Sequence, residues 1–143
     1  MKNKLEKPSI GYLITKVGRY ISRDYNLHLE KIDLTPLQAG ILVNLYLHEE
    51  MAQAELMNAI IVDKATINAM LKSLRLSGFI EMVKNPNDLR VWQITLTSKG
   101  KKLIPTIMKI DEDVSSKYAK LFGRSANTVQ NEFVKVYSEL PLA

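Results

Sequence analysis

Cysteine is absent from this sequence of 143 residues. Its absence excludes disulfide bonds, zinc sites with thiolate ligands and thiol nucleophiles. Long apolar runs are missing as well, because the longest uncharged stretch, residues 34–47, is interrupted by Thr35, Pro36, Gln38 and Asn44. No membrane span is therefore expected, since a span needs about 18 apolar residues or more. The basic N-terminus is followed by no apolar segment of the kind that secretory signals carry, which makes the cytoplasm the expected location.

The residue patterns of most enzymes are missing too. The sequence has no phosphate-binding loop, no glycine-rich dinucleotide fingerprint and no serine in the context of a catalytic triad. Its two histidines, His28 and His48, lie twenty residues apart. The acidic segments 48–50 and 111–113 are interpreted as solvated surface rather than as metal or acid–base sites. We therefore expect a protein that is not an enzyme and needs no metal or other cofactor.

Positive charge, by contrast, is concentrated in the middle of the chain. Residues 61–102 hold eight Lys or Arg and three Asp or Glu, a net charge of +5. Residues 1–60 hold seven side chains of each sign, and residues 103–143 hold five of each. A basic segment between two neutral flanks indicates a surface that binds a polyanion. Duplex DNA is the polyanion that we expect.

Apolar residues at helical spacing predict two helices before this basic segment. The first begins at Pro8 and ends near Leu29. Its apolar face comprises Ile10, Leu13, Ile14, Val17 and Ile21. The second is capped by Thr35, begins with Pro36 and ends at the charged turn 48–50.

Two short helices, 53–60 and 63–77, are predicted next. The first should bury Leu56 and Ile60. Asp63 caps the second, Thr66 is placed to share that cap, and Gly78 ends the helix. The buried face of the second comprises Ile67, Met70, Leu71 and Leu74. The pair has the proportions of a helix-turn-helix.

A β-hairpin and two more helices complete the predicted chain. Strands are expected at 79–83 and 91–96, with the turn residues 85–90 between them. Thr97 caps a long helix in which Pro105 should cause a bend or leave a carbonyl unpaired, and Ser125 opens the last helix. The apolar faces of these helices comprise Leu103, Ile107, Ile110, Val114 and Leu121, then Val129, Phe133, Val136, Tyr137 and Leu140. The predicted fold class is mainly α with a small β-hairpin wing (α+β), a winged helix-turn-helix with flanking helices.

The second short helix is expected to enter the major groove of DNA, where small and polar side chains reach base edges and lysines reach phosphates. Arg90, at the tip of the wing, could enter the adjacent minor groove, with Asp88 holding its side chain in place. The alternative is that the tip is only a good turn with an exposed charge. The predicted DNA-binding residues are Lys64, Ala65, Thr66, Asn68, Ala69, Lys72, Asp88 and Arg90.

A ligand pocket is a further hypothesis. Methionine and tyrosine side chains suit an adaptable cleft with polar groups. The residues proposed for it, between the first helix and the winged region, are Tyr12, Lys16, Tyr20 and Tyr46. Core packing or contacts within a dimer explain these side chains equally well.

Five segments of the chain, taken in order, resemble the MarR family of winged-helix transcription regulators. They are residues 34–38 (LTPLQ), 62–66 (VDKAT), 78–81 (GFIE), 88–90 (DLR) and 96–100 (LTSKG). The resemblance covers nearly the whole chain and implies one MarR-type domain over residues 1–143. It implies a winged helix-turn-helix at about 34–102 and dimerisation helices at about 1–33 and 103–143. It also implies a homodimer that binds a pseudo-palindromic operator in double-stranded DNA, usually as a repressor and often released by a small-molecule effector.

Four positions depart from the pattern of that family. Leu89 stands where members usually carry an arginine in the wing, and Ala69 where the recognition helix commonly has one. Ile61 replaces a glycine or small polar residue, and Ala52 replaces a serine or threonine. Because each lost basic group removes a contact with DNA, we expect weaker or differently specified binding. The alternative function is a winged-helix module that binds proteins and has weakened DNA binding.

Overall fold

Over residues 7–140, which the computed structural model describes, the chain forms six α-helices and a three-stranded antiparallel sheet. The helices are α1 (Ile10–Leu29), α2 (Pro36–His48), α3 (Gln53–Ile60), α4 (Lys64–Leu76), α5 (Ser98–Phe122) and α6 (Ala126–Glu139). The strands are β1 (Glu50–Ala52), β2 (Ile80–Asn85) and β3 (Asp88–Leu96), in the order β1-β3-β2. The predicted fold class, mainly α with a β-hairpin wing, is confirmed.

Polar side chains set the starts of three helices as predicted. Thr35 Oγ1 accepts a hydrogen bond from Gln38 N at 3.3 Å, Asp63 Oδ1 accepts one from Thr66 N at 2.7 Å, and Thr97 Oγ1 accepts one from Gly100 N at 3.0 Å. Such caps satisfy amide groups that have no partner inside a helix.

The first helix begins later than predicted, at Ile10 instead of Pro8. Ser9 is its N-cap, and the Ser9 Oγ accepts a hydrogen bond from Tyr12 N at 3.3 Å. Proline has no N–H, so it lies without cost just before a helix, and the hydroxyl one residue later makes the cap. The last helix starts at Ala126, after a turn of 3-10 helix over Gly123–Ser125.

The hairpin is longer and its turn shorter than predicted. Only Pro86 and Asn87 separate β2 from β3, so Asp88, Leu89 and Arg90 belong to a strand rather than to the turn. Strand β1 was not predicted, because three residues are too few to show an alternating pattern. It pairs with β3 through Met51 opposite Ile94.

The core lies where α2, α3, α4 and the start of α5 meet the sheet. Its fully buried side chains include Ile41, Leu42, Leu45, Leu56, Ile67, Leu71, Leu74, Ile94 and Ile104. The predicted burial of Ile60 was wrong, because this residue ends α3 beside the exposed turn and is only half-buried. On the predicted apolar faces, Met70 is half-buried as well, and Leu121, in the last turn of α5, is 77% exposed.

Gly100 allows α5 to approach the base of the wing. A Cβ atom at this position would lie 2.1 Å from the carbonyl oxygen of Phe79. Only glycine fits at that distance, since the obstacle is backbone and not a movable side chain. This contact fixes where the long helix leaves the sheet.

Apolar faces of α1 and α6 remain uncovered. Side chains over residues 10–20 of α1 are exposed, and α6 has no buried residue. Within the described range, no helix is long and apolar enough to cross a membrane.

Candidate nucleic-acid interface

Three buried side chains anchor helix α4 against the core and thereby determine which residues its opposite face exposes to solvent. Ile67, Leu71 and Leu74 are each at most 1% exposed. The opposite face is open to solvent and comprises Lys64, Ala65, Asn68, Ala69 and Lys72. The structure therefore brings five of the six residues predicted on this helix to one exposed surface. The sixth, Thr66, is half-buried.

Thr66 is occupied in capping α4. Hydrogen bonds from its backbone and side chain lower the pKa of the Asp63 carboxyl, whose ordinary value is 3.8. The negative charge also lies at the helix N-terminus, where it interacts favourably with the helix dipole. Thr66 is consequently less available to DNA than the sequence suggested.

Gln38, which was not among the predicted site residues, connects α2 to α4. Its Oε1 accepts a hydrogen bond from Thr35 N at 2.9 Å, and its Nε2 donates to Ser73 Oγ at 3.1 Å. The residue is only 8% exposed, so both bonds are made away from water. A glutamine three residues after a threonine cap predicts the hydrogen bond with Thr35. No local pattern predicts the hydrogen bond with Ser73.

A second amide side chain contacts α4 from the first short helix. Gln53 Nε2 donates to Asn68 Oδ1 at 2.6 Å. The two side chains line a shallow depression of about 220 Å³ that Lys72 and Arg75 also border. Gln53 was missed because fifteen residues separate it from Asn68.

The wing holds its arginine in a defined position. Arg90 Nε donates to Asp88 Oδ1 at 3.0 Å, and an Nη2 hydrogen is donated to Asp88 Oδ2 at 3.1 Å. The Arg90 side chain is 90% exposed. The pair lowers the pKa of the Asp88 carboxyl and raises that of the Arg90 guanidinium, chiefly through these side-chain hydrogen bonds.

One lysine of the basic segment has a structural role instead. Lys99 Nζ donates to the carbonyl oxygen of Ser77 at 2.7 Å, just after the end of α4, and lies 4.8 Å from the centre of the Phe79 ring. Cations near the last carbonyls of a helix stabilise that end. The net charge of the segment therefore overstates the charge that can face DNA.

Comparison with known proteins connects this geometry with a family. The family model named MarR family matches residues 34–92, which contain the helix pair and most of the wing. The regulator SarZ of Staphylococcus haemolyticus is 26% identical over 114 residues, which cover 80% of this chain and 78% of that protein. The multiple antibiotic resistance protein MarR of Salmonella typhimurium is 32% identical over 91 residues, covering 64% of this chain and 63% of that protein.

A solved structure of a mutant MarR from E. coli, complexed with operator DNA, superposes with a TM-score of 0.80 at 25% identity. That match covers 92% of this chain and 94% of the solved one. The helix pair and most of the wing therefore match the MarR family in sequence, and the chain shares the fold of solved MarR structures. The relatives SarZ and MarR are regulators of transcription or antibiotic resistance by name.

The departures from the MarR pattern have visible structural consequences. Ala52 offers no side-chain cap, so Glu55 Oε2 alone accepts a hydrogen bond from its N–H, at 2.6 Å. Ile61 has a backbone φ of 52°, a left-handed conformation that is unfavourable for a β-branched residue. Ala69 and Leu89 are both exposed and add no charge to the candidate interface.

A cavity lies between α1, α2 and α5. It has a volume of about 450 Å³. Its lining comprises Tyr25, Leu29, Pro36, Ala39, Gly40, Val43, Asn44, Ile107, Met108, Ile110 and Asp111. Tyr25 Oη donates to Asp111 Oδ1, and burial together with this bond raises the pKa of Tyr25 to about 12.

The four residues predicted for a ligand pocket are not among that lining. Tyr12 and Tyr20 are 55% and 62% exposed on α1, and Tyr46 is 50% exposed on α2. Lys16 Nζ lies 5.4 Å from the centre of the Tyr12 ring, one turn away on α1. A ligand site at these residues stays a prediction.

The cap of α4 should make the stability of the protein depend on pH. The pKa of Asp63 is lowered in the folded state, so its stabilising effect is complete above its ordinary pKa of 3.8 and is lost as the pH falls further. We expect Asp63→Ala to lower the free energy of unfolding near neutral pH, and this deficit relative to wild type to shrink below pH 3.8. Urea titrations across the pH range measure it.

Asp63→Asn is the matched control, because an asparagine cap carries no titrating charge. It should remain more stable than the alanine variant at every pH. Equal stability of the wild type and the alanine variant near neutral pH would show that the cap contributes nothing.

Proposed function

We propose that this chain acts as a homodimeric repressor that binds a pseudo-palindromic operator, with α4 of each protomer in successive major grooves. The observation that carries this proposal is the exposed polar and basic face of α4, fixed by the buried face behind it. Half-sites should then lie about 10 bp apart on one side of the duplex. Repression is the usual role that the resemblance implies.

The face of α4 suits close contact with bases. Ala65 and Ala69 leave room for the helix to approach, and Asn68 lies between Lys64 and Lys72, one turn from each. The two lysines can contact phosphates on either side while the amide reaches a base edge. This arrangement supports α4 as the recognition helix.

The wing supplies a second contact. A guanidinium carries five N–H donors, of which the ion pair with Asp88 uses two of Arg90. Three donors remain, and the side chain is 90% exposed. Arg90 can therefore contact a phosphate or enter the narrow minor groove beside the recognition helix.

Replacing Arg90 tests the wing directly. Arg90→Ala should weaken binding to many duplexes alike and reduce the slope of log affinity against log salt by about 1, because one phosphate contact is lost. Fluorescence anisotropy with the duplex upstream of the gene, at several salt concentrations, measures both quantities.

Lys109→Ala removes the same charge from α5, where the lysine pairs with Glu112 and Asp113, and should leave the slope unchanged. An Arg90→Ala protein with the affinity of the wild type would exclude the wing from binding. If the wild type binds no duplex in a salt-dependent manner, the chain is better described as a protein-interaction module.

The dimer is proposed from the uncovered helices at the two ends of the chain. Exposed apolar side chains on them include Ile14 and Val17 of α1 and Phe133, Val136 and Tyr137 of α6. An isolated 14-residue helix such as α6 is marginal in water unless an apolar face packs against something. A second copy covers both faces by two-fold symmetry, with about 1–33 and 103–143 as the dimerisation helices and 34–102 as the winged region.

Phe133→Asp should convert the dimer to a monomer, because it places a charge in the proposed contact. Sedimentation velocity gives the mass, and circular dichroism verifies that the chain remains helical. Val83→Asp, on the wing at a comparable exposure of 62% against 51%, should stay dimeric. A Phe133→Asp protein that sediments as a dimer would contradict this assignment.

Release by an effector is proposed at the cavity between α1, α2 and α5. Its volume of about 450 Å³ is in the usual range for small-molecule sites. Asp111 is the only charged residue among those that line it, so the cavity favours an aromatic or apolar ligand with an amino group. Such a ligand would compete with Tyr25 for Asp111 and so weaken a contact between α1 and α5.

Two probes of the same shape and opposite charge test this preference. The 2-phenylethylammonium ion should raise the melting temperature and weaken DNA binding more than phenylacetate does. Asp111→Asn should remove the difference, because the amide carries no charge. A stronger effect of phenylacetate on the wild type would overturn the proposed ligand class while leaving DNA binding unaffected.

A further inference from the structure

We propose that Gln53 is a specificity-determining residue, which orients the Asn68 amide so that the pair presents donors to a base. The inference rests on the proposed function, in which α4 reads the major groove. It begins from one hydrogen bond, from Gln53 Nε2 to Asn68 Oδ1 at 2.6 Å. No local sequence pattern predicts that these two side chains act together in reading a base.

Asn68 is the side chain of α4 that is best suited to reading bases. Ala65 and Ala69 have no hydrogen-bonding side chain, and Lys64 and Lys72 are point charges suited to phosphate. Two other polar side chains of α4 are already engaged.

Those two are Thr66, which is held in the cap by Asp63, and Ser73, whose Oγ accepts a hydrogen bond from Gln38. Arg75 lies in the last turn of α4, whereas a recognition helix contacts bases through its N-terminal residues. Asn68 is therefore the side chain whose orientation matters most.

The hydrogen bond from Gln53 constrains what Asn68 can recognise. A free asparagine reads adenine with both amide atoms, accepting from N6 and donating to N7. In this structure the Asn68 Oδ1 atom is turned towards α3 by Gln53, which leaves the Nδ2 hydrogens to face outwards. Donors alone match guanine, which presents two acceptors, N7 and O6, in the major groove.

The surroundings of the pair favour the same base. The depression that Gln53 and Asn68 line is also bordered by Lys72 and Arg75, and this positive charge favours a base edge that presents only acceptors over one that presents a donor. Gln53 is half-buried at the first position of α3. The backbone before it is held by the bond from Ala52 N to Glu55, so little additional ordering is needed to keep the amide in place.

Selection of bound sequences from a random duplex library tests the inference with base preference as the readout. The wild type should prefer guanine at one position in each half-site. Gln53→Ala frees Asn68 to read adenine, so the ratio of guanine to adenine there should fall about tenfold, within the range of one bidentate contact. Asn68→Ala should lose the preference, and adding Gln53→Ala to it should change nothing further.

Gln53→Glu is a sharper test than Gln53→Ala, because a carboxylate can only accept hydrogen bonds. It should reverse the Asn68 amide, present Oδ1 to the groove and shift the preference to adenine or cytosine, both of which offer an amino donor. The added negative charge should weaken binding to all sequences alike, so the relative preference for one base can still be measured. Asn58→Ala removes an exposed amide from the same helix and should select the wild-type sequence.

The outcomes separate this inference from the function on which it rests. A wild type that enriches no sequence would overturn the proposed function, and this inference with it. A wild type that enriches a palindrome, with the same base preference in both Gln53 variants, would overturn the role of Gln53 alone. Melting temperatures within about a degree of the wild type would show that the variants act on recognition rather than on folding.

Discussion

The seating of α4 on the core is the constraint on which the rest of the structure depends. Ile67, Leu71 and Leu74 are buried against the core, and burying side chains of this size contributes about 1.5–3 kcal/mol each. A rotation of α4 by a quarter turn would expose them. The rotation of the helix is thereby fixed, and with it the set of side chains that face outwards. Polar contacts then refine this position: Gln38 holds the helix from α2, Asp63 caps it, and Lys99 closes its C-terminal end.

The starts of the helices and the order of elements follow from local chemistry and could be predicted. Thr35, Asp63 and Thr97 cap helices because the hydrogen bond spans only three residues. Strand β1 could not be predicted, since its three residues become a strand only through pairing with β3. The hydrogen bond between Gln53 and Asn68 could not be predicted either, because the packing of two helices brings residues fifteen positions apart together. The charge count likewise did not separate Lys99, which binds a carbonyl, from the lysines that face solvent.

The basic side chains of residues 61–102 have different structural positions. Lys64 and Lys72 lie on the exposed face of α4, and Arg90 is held by Asp88 on the wing. Ala69 and Leu89 add no charge where the MarR pattern has arginine. Under the proposed function, the charged contacts of α4 and the wing tip come from these three basic side chains, and the choice of bases falls largely to the Asn68 amide. A regulator built in this way should be sensitive to salt and should owe its specificity to very few contacts.

Methylation protection tests the central claim, that α4 lies in the major groove, most directly. Dimethyl sulfate attacks the N7 atom of guanine, which faces the major groove, and a helix inserted there blocks the reaction. On a duplex selected by the wild type, the account predicts two clusters of protected guanines about 10 bp apart on one face. A stable complex in which the N7 atoms of guanine react as they do in free DNA would contradict it.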